Sequence, residues 1–305
     1  MAITTTPQSA VRDGAARKLA NTTKTSVQMP AITPRWLTAL IPWKPLEAGV
    51  LRVNRVKSEA PVEVTCGLND NNVAPNGYID YEEDPREYTL NAISTVVNVN
   101  THIADLFGSP HDQVREQLRL TIESVKERQE SELLNNFDYG LLTQAAPSQR
   151  IATRKGPPTP DDLDELISKV WKEPAFFVTH PKVIAAFGRE CTRRGVPPAI
   201  ATLFGSQFLT WRGLPLVPSD KVPVEAGKSS ILLLRVGEAK QGVVGLFQPG
   251  LSGEQSPGLS VRFMGIDNNA VASYLVSLYC SAAVLTPDAL AVLENVEVGF
   301  YHEYK

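Results

Sequence analysis

The sequence predicts an α+β fold organised around one long helix. Residues 109–135 carry a helical apolar period, whereas residues 49–101 and 259–285 carry the alternation or the short apolar runs of strands. Proline, glycine and asparagine cluster between these segments, as they do in turns and loops. With 305 residues and 43% hydrophobic composition, the chain can bury a substantial core in one elaborate domain or two smaller ones.

The first 35 residues or so predict an arm. They contain few large apolar side chains and no firm period, and they lead into Pro30, Pro34 and Trp36. Because such a segment cannot bury its own surface, we expect it to be ordered only against the rest of the fold or a neighbouring copy. The start of the chain also lacks the layout of a signal peptide, so we expect no export by that route.

Two alternating segments predict strands on either side of a loop. In the first segment, Val62, Val64 and Cys66 alternate with polar residues. In the second, one face of the strand is formed by Ile93, Thr95, Val97 and Val99. Residues 67–77 are rich in Asn, Asp and Pro, which predicts a long protruding hairpin or loop.

An acidic patch follows this loop. Its carboxylates are Asp80, Glu82, Glu83, Asp84 and Glu87. The glycine-bearing spacing of a calcium loop is absent, so the patch is interpreted as a solvated or interface face rather than a cation site.

The long helix is predicted to start at Ser109, which can cap it, with Pro110 in the first helical position. Its apolar stripe consists of Val114, Leu118, Ile122 and Val125. Since charged and polar residues fill the other faces, the helix must pack by one side only. A lone helix of this kind is more typical of a structural spine than of an active site.

Two further helices are predicted beyond a linker at residues 147–160. Thr159, Pro160 and Asp162 open the first of them. Its predicted buried face consists of Leu163, Leu166, Ile167, Val170 and Trp171. The second is predicted over Pro181–Arg194 and stops at Gly195, because Pro197 and Pro198 prevent its continuation.

The last third of the chain predicts strands. Short apolar runs occupy residues 214–217 and 231–236, a glycine-rich segment spans residues 245–258, and strand patterns cover residues 259–264 and 271–285. The uncharged run 268–287 is long enough to cross a bilayer, but its asparagines and serines and its flanking Asp267 and Asp288 favour buried strands. A membrane-associated protein remains an alternative.

Charge and cysteine usage narrow the functional classes. The 30 basic and 33 acidic side chains give a net charge of −3, so the chain lacks the electrostatic footprint of a nucleic-acid-binding protein. Cys66, Cys191 and Cys280 lie too far apart for a zinc knuckle or a CxxC pair. We interpret them as buried, reduced thiols of a cytosolic protein.

Local catalytic motifs are missing from the sequence. The segment Gly227-Lys228-Ser229 imitates the end of a phosphate loop, but Val222 stands where the loop needs a glycine. None of the histidines, His102, His111, His180 and His302, forms a metal-binding or Cys-His spacing. The sequence therefore predicts no enzyme, no cofactor and no metal site, with a soluble hydrolase assembled from distant Cys and His residues as the alternative.

Several blocks of the sequence resemble the shell proteins of the family 2 encapsulins, and specifically the 2A branch. They are LANTTKT at residues 19–25, ITPRWL at 32–37, QLRLTIE at 117–123, FGRECTRRGVPP at 187–198, GLFQPG at 245–250, GLSVRF at 258–263 and TPDALAVL at 286–293. The order of arm, extended loop, spine helix, mixed segment and closing strands is also similar to the tailed-phage major-capsid (Hong Kong 97 type) fold.

This resemblance implies a division of the chain into domains. Residues 1–48 would be the N-terminal arm and residues 49–92 an extended loop that pairs with a neighbour. Residues 141–252 would be the axial domain around a five-fold axis. The peripheral domain would combine residues 93–140 with residues 253–305.

The resemblance also implies a protein that encloses rather than catalyses. About sixty copies would close into an icosahedral (T=1) nanocompartment. Its cargo would be a cysteine desulfurase, bound through a disordered N-terminal extension of that enzyme and acting in sulfur metabolism or storage. Pyridoxal phosphate would then belong to the cargo and not to this chain, and the shell would be cytoplasmic, without nucleic acid or a membrane span.

Six residues near the five-fold axis are pore candidates by the same resemblance: Arg193, Arg194, Gly195, Val196, Pro197 and Pro198. Two prolines would stiffen a pore rim, and two arginines facing the lumen would favour small anions. The arginines are equally consistent with helix-end cations paired with the helix dipole. The residues that bind the cargo are not identified by the sequence.

Overall fold

The computed structural model describes residues 33–54, 77, 80–100, 113–154 and 156–301. Five predictions lie wholly or mostly outside these residues: the arm before Thr33, the strand around Val64, the loop 67–77, the helix start at Ser109 and the environment of Cys66.

The helices in the described part of the chain are one long helix and four shorter ones. They are α1 (Trp36–Leu40), α2 (Gln113–Asn135), α3 (Leu141–Gln144), α4 (Pro160–Lys169) and α5 (Pro181–Arg194), with 3₁₀ turns at Pro147–Gln149 and Pro287–Ala289. We refer to α2 as the spine helix.

A six-stranded sheet packs under the spine helix. Its strands run in the order β1 (Trp43–Pro45), β11 (Val243–Phe247), β14 (Val271–Val284), β13 (Leu259–Ile266) and β12 (Glu254–Ser256), and β4 (Asn91–Asn100) also pairs with β14. The neighbours of β14 are all antiparallel, whereas β1 lies parallel to β11.

A seven-stranded sheet is the second sheet of the fold. Its order is β5 (Arg150–Ala152), β15 (Leu290–Glu297), β10 (Lys228–Leu234), β6 (Phe176–Thr179), β9 (Leu214–Pro218), β8 (Ser206–Trp211) and β7 (Ala199–Leu203). The closing strand β15 thus lies among strands from residues 150–234. A separate two-stranded ribbon pairs β2 (Val50–Val53) with β3 (Arg86–Thr89).

The predicted stripe of the spine helix is confirmed for three of its four residues. Leu118, Ile122 and Val125 pack on the six-stranded sheet, against a cluster that includes Val276 and Leu278. At the other end of the same helix, Leu133 and Leu134 join a second core. Strands of both sheets contribute to this core, with Leu232, Val243, Val284 and Val292 among its residues. One helix therefore bridges the two sheets, as expected of a spine.

Helix α4 begins as predicted but ends earlier than its apolar period suggests. The Thr159 hydroxyl and the Asp162 carboxylate form a reciprocal capping box. Leu163 and Leu166 are fully buried. The prediction that Trp171 is buried is wrong, because the helix stops at Lys169 and the Trp171 side chain is 68% exposed.

Helix α5 matches its predicted bounds. It spans Pro181–Arg194, and Gly195 ends it with φ +70°, a conformation that glycine adopts without a Cβ clash. His180 precedes it, and its Nδ1 accepts the backbone N–H of Lys182 at 3.0 Å. His180 is therefore the N-cap residue of this helix.

The linker predicted at residues 147–160 contains a strand. Arg150–Ala152 pairs in parallel with β15, and Arg150 binds Glu294 across that pair. A three-residue strand is too short to show alternation, so its partner rather than its own sequence determines its conformation.

The uncharged run 268–287 forms buried sheet, as predicted. Most of it is β14, which pairs with β4, β11 and β13 along its length. Buried serines such as Ser277 and Ser281 account for its mixed composition. Within the described residues, no helix is long and apolar enough to span a membrane.

Candidate functional site

The predicted pore segment lies at the exposed end of α5. Arg193, Arg194 and Val196 are exposed, and the Arg193 guanidinium donates to Glu190 at 2.5 Å and 3.1 Å. The Nε of Arg194 donates to the same carboxylate at 2.8 Å. Glu190 is only 2% exposed, so a buried acid holds both arginines.

A second acid completes this cluster. The Nη1 of Arg194 also lies 3.1 Å from the Asp161 carboxylate on α4. The hydrogen bond to Glu190 and, to a smaller extent, the hydrogen bond to Asp161 raise the pKa of Arg194 above its usual value. Two cations thus face two anions, so the charges of both arginines are offset by neighbouring carboxylates. Sequence reasoning missed Glu190, although its spacing of three and four residues from the arginines is a helical ion-pair signal.

The hairpin that follows this segment presents apolar side chains to solvent. Strand β7 is the edge of the seven-stranded sheet, and Ile200 on it is exposed. At the turn between β7 and β8, Phe204 is 72% exposed and its ring lies 6.3 Å from that of Trp36. An uncharged edge strand is unprotected against pairing with another chain, so this hairpin is a candidate assembly surface.

Sequence reasoning missed this hairpin because its turn is unusual. Phe204 and Gly205 both have positive φ, of 51° and 75°, as a tight hairpin turn requires. Phenylalanine is rare at the first of these positions, where Asn, Asp or Gly is expected. Phe204 thus combines an unfavourable backbone conformation with an exposed ring.

The segment that leads into the fold is fixed on the spine helix. The backbone N–H and hydroxyl of Thr33 each donate to Glu127 at 3.0 Å, and Arg35 reaches Glu123 at 2.6 Å. Burial alone would raise the pKa of Glu127, but the hydrogen bonds from Thr33 and Lys221 outweigh it and lower that pKa. The ionised Glu127 is therefore an anchor for the chain at residue 33.

A groove of about 430 Å³ lies between the spine helix and β4. Its walls are Ile93, Ser94, Thr95, Leu120, Thr121, Ser124, Val125 and Arg128. The described residues pair β4 with β14 alone, so the groove follows an open strand edge. It is a second candidate surface for contact with another chain.

The ribbon β2–β3 is tied to the six-stranded sheet at its base. Tyr88 on β3 is buried, and its hydroxyl donates to the Val284 carbonyl at 2.5 Å. The carboxylates that precede β3, including Glu82 and Asp84, are exposed, as predicted for a solvated face. The described ribbon is therefore packed on the six-stranded sheet, where Leu51 and Val53 join the same apolar cluster as Tyr88.

A buried ion pair joins the ends of β10, β14 and β15. Arg235 is 1% exposed and binds Asp288 through two nitrogens, at 3.0 Å and 3.2 Å. Burial raises the pKa of Asp288, but hydrogen bonds from Arg235, Thr286 and Lys172 reverse the effect and lower it strongly. Asp288 and Thr286 belong to the block 286–293 that resembles the encapsulins, whereas Arg235 lies outside it.

The described residues give little support to the hydrolase alternative. Cys191 and Cys280 are buried and free, as predicted. Burial raises their pKa values to about 11 and about 12, which makes both thiols poor nucleophiles. No group of three or more metal-ligating side chains occurs among these residues. His102, His111 and His302 lie outside them.

The chain is similar over almost its whole length to known shell proteins. It is 65% identical over 299 residues to the type 2A encapsulin shell protein SrpI of Synechococcus elongatus, covering 98% of each chain. It is 61% identical to a type 2A encapsulin shell protein of Mycolicibacterium paratuberculosis, covering 97% of each.

Solved structures agree with these relatives. A cryo-EM structure of the holo-SrpI encapsulin complex from Synechococcus elongatus matches with a TM-score of 0.85 and 64% identity, over 97% of this chain and 99% of that one. A structure from Microbacterium phage Oxtober96 matches with a TM-score of 0.63 at 14% identity, over 92% and 97%. At that identity the likeness concerns the fold alone, and it confirms the predicted α+β phage-capsid fold.

A sequence model of the SrpI-like family, described as type 2A encapsulin shell proteins, matches residues 49–300. The two relatives carry the same description as this family model. The chain belongs to the type 2A encapsulin shell protein family.

Proposed function

We propose that the chain assembles into a closed icosahedral nanocompartment that encloses a cargo enzyme in the bacterial cytoplasm. The observation that carries the proposal is its match to the SrpI encapsulin complex, with a TM-score of 0.85 and 97% of the chain covered. The uncharged edge strand β7 and the open β4 edge would both gain partners when copies pair, and closed symmetry leaves no edge free.

The proposal is tested by the mass and shape of the particle formed by the chain alone. Closed T=1 symmetry with about sixty copies of a 33.3 kDa chain predicts about 2 MDa. We expect uniform hollow spheres by negative-stain microscopy and this mass by light scattering. A monomer or small oligomer that stays in solution would contradict self-assembly.

The proposed cargo is a cysteine desulfurase, bound through its disordered N-terminal extension, in sulfur metabolism or storage. The resemblance to the 2A branch supports this cargo, and the raised pKa values of the Cys191 and Cys280 thiols agree with an enclosing role for this chain. Pyridoxal phosphate would be bound by the cargo. Affinity purification of the shell from its native cells should recover a desulfurase together with intact particles. Recovery of a different enzyme in its place would contradict the proposed cargo.

The proposed domain division follows the family resemblance. Residues 1–48 would be the arm, 49–92 the extended loop, 93–140 and 253–305 the peripheral domain, and 141–252 the axial domain. Two strands cross this division, because β15 pairs with β5 and β10 of the axial segment and β11 pairs with β14 of the peripheral one. The rigid root of the ribbon at Tyr88 and the anchor of Thr33 on Glu127 support an arm and a loop that leave the body at fixed points.

The proposed pore rim comprises Arg193, Arg194, Gly195, Val196, Pro197 and Pro198. The exposure of residues 193–197 at the end of α5 supports the proposal. Because Glu190 and Asp161 offset both arginine charges, the rim would discriminate weakly between small anions and neutral solutes. A map of the particle at its five-fold axis tests the placement.

A further inference from the structure

The spine helix meets the seven-stranded sheet at a buried carboxyl group. Glu130 lies near the end of the helix and is 1% exposed. The hydroxyl of Ser219, in the loop that follows β9, donates to its Oε1 at 2.7 Å. Its Oε2 is buried and has no hydrogen-bond partner within the described part of the chain. The contact therefore holds the loop to the helix with half of the carboxyl group unsatisfied.

The charges around Glu130 belong mainly to other pairs. Lys221 is a cation that acts on Glu130, but its Nζ lies 3.1 Å from Glu127 and 3.0 Å from Asp220. Arg35, on the entering segment, binds Glu123 and Glu127. On the side of α5, His180 faces Asp220. An ionised Glu130 would thus add a negative charge beside Glu127 and Asp220. These two carboxylates already share the Lys221 cation, so it cannot pair fully with Glu130 as well.

These surroundings explain how Glu130 titrates. Burial is the main cause and raises its pKa from 4.5 to about 7. The Ser219 hydrogen bond opposes this rise, the charges of Glu127 and Asp220 add to it, and Lys221 opposes it. The carboxyl group therefore changes charge near neutral pH while it remains enclosed between the helix and the loop.

We propose that Glu130 is a proton-operated latch between the spine helix and the loop of Ser219, Asp220 and Lys221. The latch is closed while the carboxyl group is neutral. When the group ionises, its unpaired charge is most easily hydrated by moving the loop away from the helix, because water then reaches Oε2.

The latch also reaches the segment that enters the fold. Lys221, in the moving loop, shares Glu127 with Thr33 and Arg35. If the loop leaves the helix, Glu127 loses one of its cations, and Thr33 is held by fewer interactions. Ionisation of one side chain would therefore loosen both the loop of Ser219, Asp220 and Lys221 and the entering segment.

The direction of the pH effect follows from the raised pKa. In the open or unfolded state the carboxyl group titrates near 4.5, and in the closed state near 7. The latch is thus fully stabilising below pH 4.5 and weakens as pH rises towards 7. The difference between the two values corresponds to a change on the order of a hundredfold in the closed-to-open ratio.

Hydrogen exchange of the purified full-length protein tests the latch at pH 5, 6, 7 and 8, with rates corrected for intrinsic pH dependence. We expect exchange of residues 127–135 and 216–223 to increase on the order of a hundredfold across this range, whereas peptides of β14 stay constant. Uniform exchange rates of both segments at all four pH values would overturn the proposal without any variant.

Two substitutions sharpen the experiment. Glu130→Gln removes the titration and keeps the shape, so its exchange should be independent of pH. Ser219→Ala removes the hydrogen bond that favours the charged form, so the transition should move to higher pH. The exposed Glu82→Gln variant is the control and should behave as the parent. A Glu130→Gln profile that parallels the parent would overturn the latch.

The latch does not depend on the proposed cargo or on closure of the shell. Glu130 and Ser219 belong to one copy of the chain, so the exchange experiment is equally decisive on a particle or on a smaller assembly. Failure to form a 2 MDa particle would contradict the proposed function, whereas pH-independent exchange would contradict only the latch.

Discussion

Arg235 and Asp288 form an ion pair that fixes the closing strand onto the body of the shell protein. Nη2 of Arg235 lies 3.0 Å from Oδ1 of Asp288, and the arginine is also bound by the Thr286 hydroxyl at 2.8 Å. The arginine is buried, whereas the carboxylate is partly exposed and also meets Lys172. A cation enclosed in this way needs its partner, since it cannot be hydrated in place.

We predict that Asp288→Ala lowers the free energy of unfolding by about 3–5 kcal/mol, the cost of leaving a buried charge unpaired. Chemical denaturation followed by tryptophan fluorescence measures the change. The control is Glu173→Ala, which removes an exposed pair with Lys240 and should cost under about 0.5 kcal/mol. Equal effects of the two substitutions would show that the Arg235 pair does not hold the closing strand.

Gly245 is required by the packing of Trp43, and we predict that Gly245→Ala is destabilising. A Cβ at this position would lie 2.6 Å from the Trp43 ring, so β1 would have to move away from β11. We expect a cost of about 1–3 kcal/mol, typical of overpacking, in thermal or chemical unfolding.

The matched control for Gly245 is Gly188, which lies inside α5. Apart from its chain neighbours and the backbone of its own helix, no described atom comes within 4 Å of the place that a Cβ would take. Gly188→Ala should stabilise the protein by about 0.5–1 kcal/mol, since alanine is the better helix former. If both alanine variants are stabilising, then Trp43 does not depend on close approach to β11.

Phe204 combines a strained backbone with an exposed ring, and the two features predict opposite effects of one substitution. Phe204→Asn suits φ 51° better, so it should stabilise the individual chain by a few tenths to about 1 kcal/mol. If the ring is an assembly contact, the same variant should weaken the particle, measured as release of subunits on dilution or in denaturant.

Ala226 provides the control for this turn. It has φ 48° and precedes a glycine, like Phe204, and it is exposed without a large side chain. Ala226→Asn should give the same small stabilisation with no effect on the particle. Particles of Phe204→Asn as stable as those of Ala226→Asn would exclude Phe204 from the assembly surface.

The sequence predicts the parts of this fold whose signals are local. The capping box of Thr159 and Asp162 marks the start of α4, and the glycine at position 195 marks the end of α5, because each residue satisfies backbone groups of its own helix. The one-sided stripe of the spine helix is equally local, since its period follows from helix geometry.

The missed elements depend on partners that are distant in the sequence. Arg150–Ala152 becomes a strand because β15 lies beside it, and Phe176–Thr179 is buried on both faces and so has no alternation. The Arg235 pair and the Glu130 contact join residues separated by 53 and 89 positions, and no local pattern announces them. The surfaces for assembly are predicted mainly by the resemblance to the encapsulins.

Substitutions that change the charge at the end of α5 test the predicted pore, because Glu190 offsets the charges of two arginines there. In Glu190→Gln both arginines keep a polar neighbour but lose its charge, so the rim becomes more positive. We expect iodide to quench an enclosed fluorophore several-fold faster, with no change for neutral acrylamide. Arg194→Gln should slow quenching by iodide instead.

The exposed Arg262→Gln, on β13, is the control for charge elsewhere on the shell and should leave both quenching rates unchanged. Equal iodide rates in all four proteins would place the end of α5 away from the path of small anions.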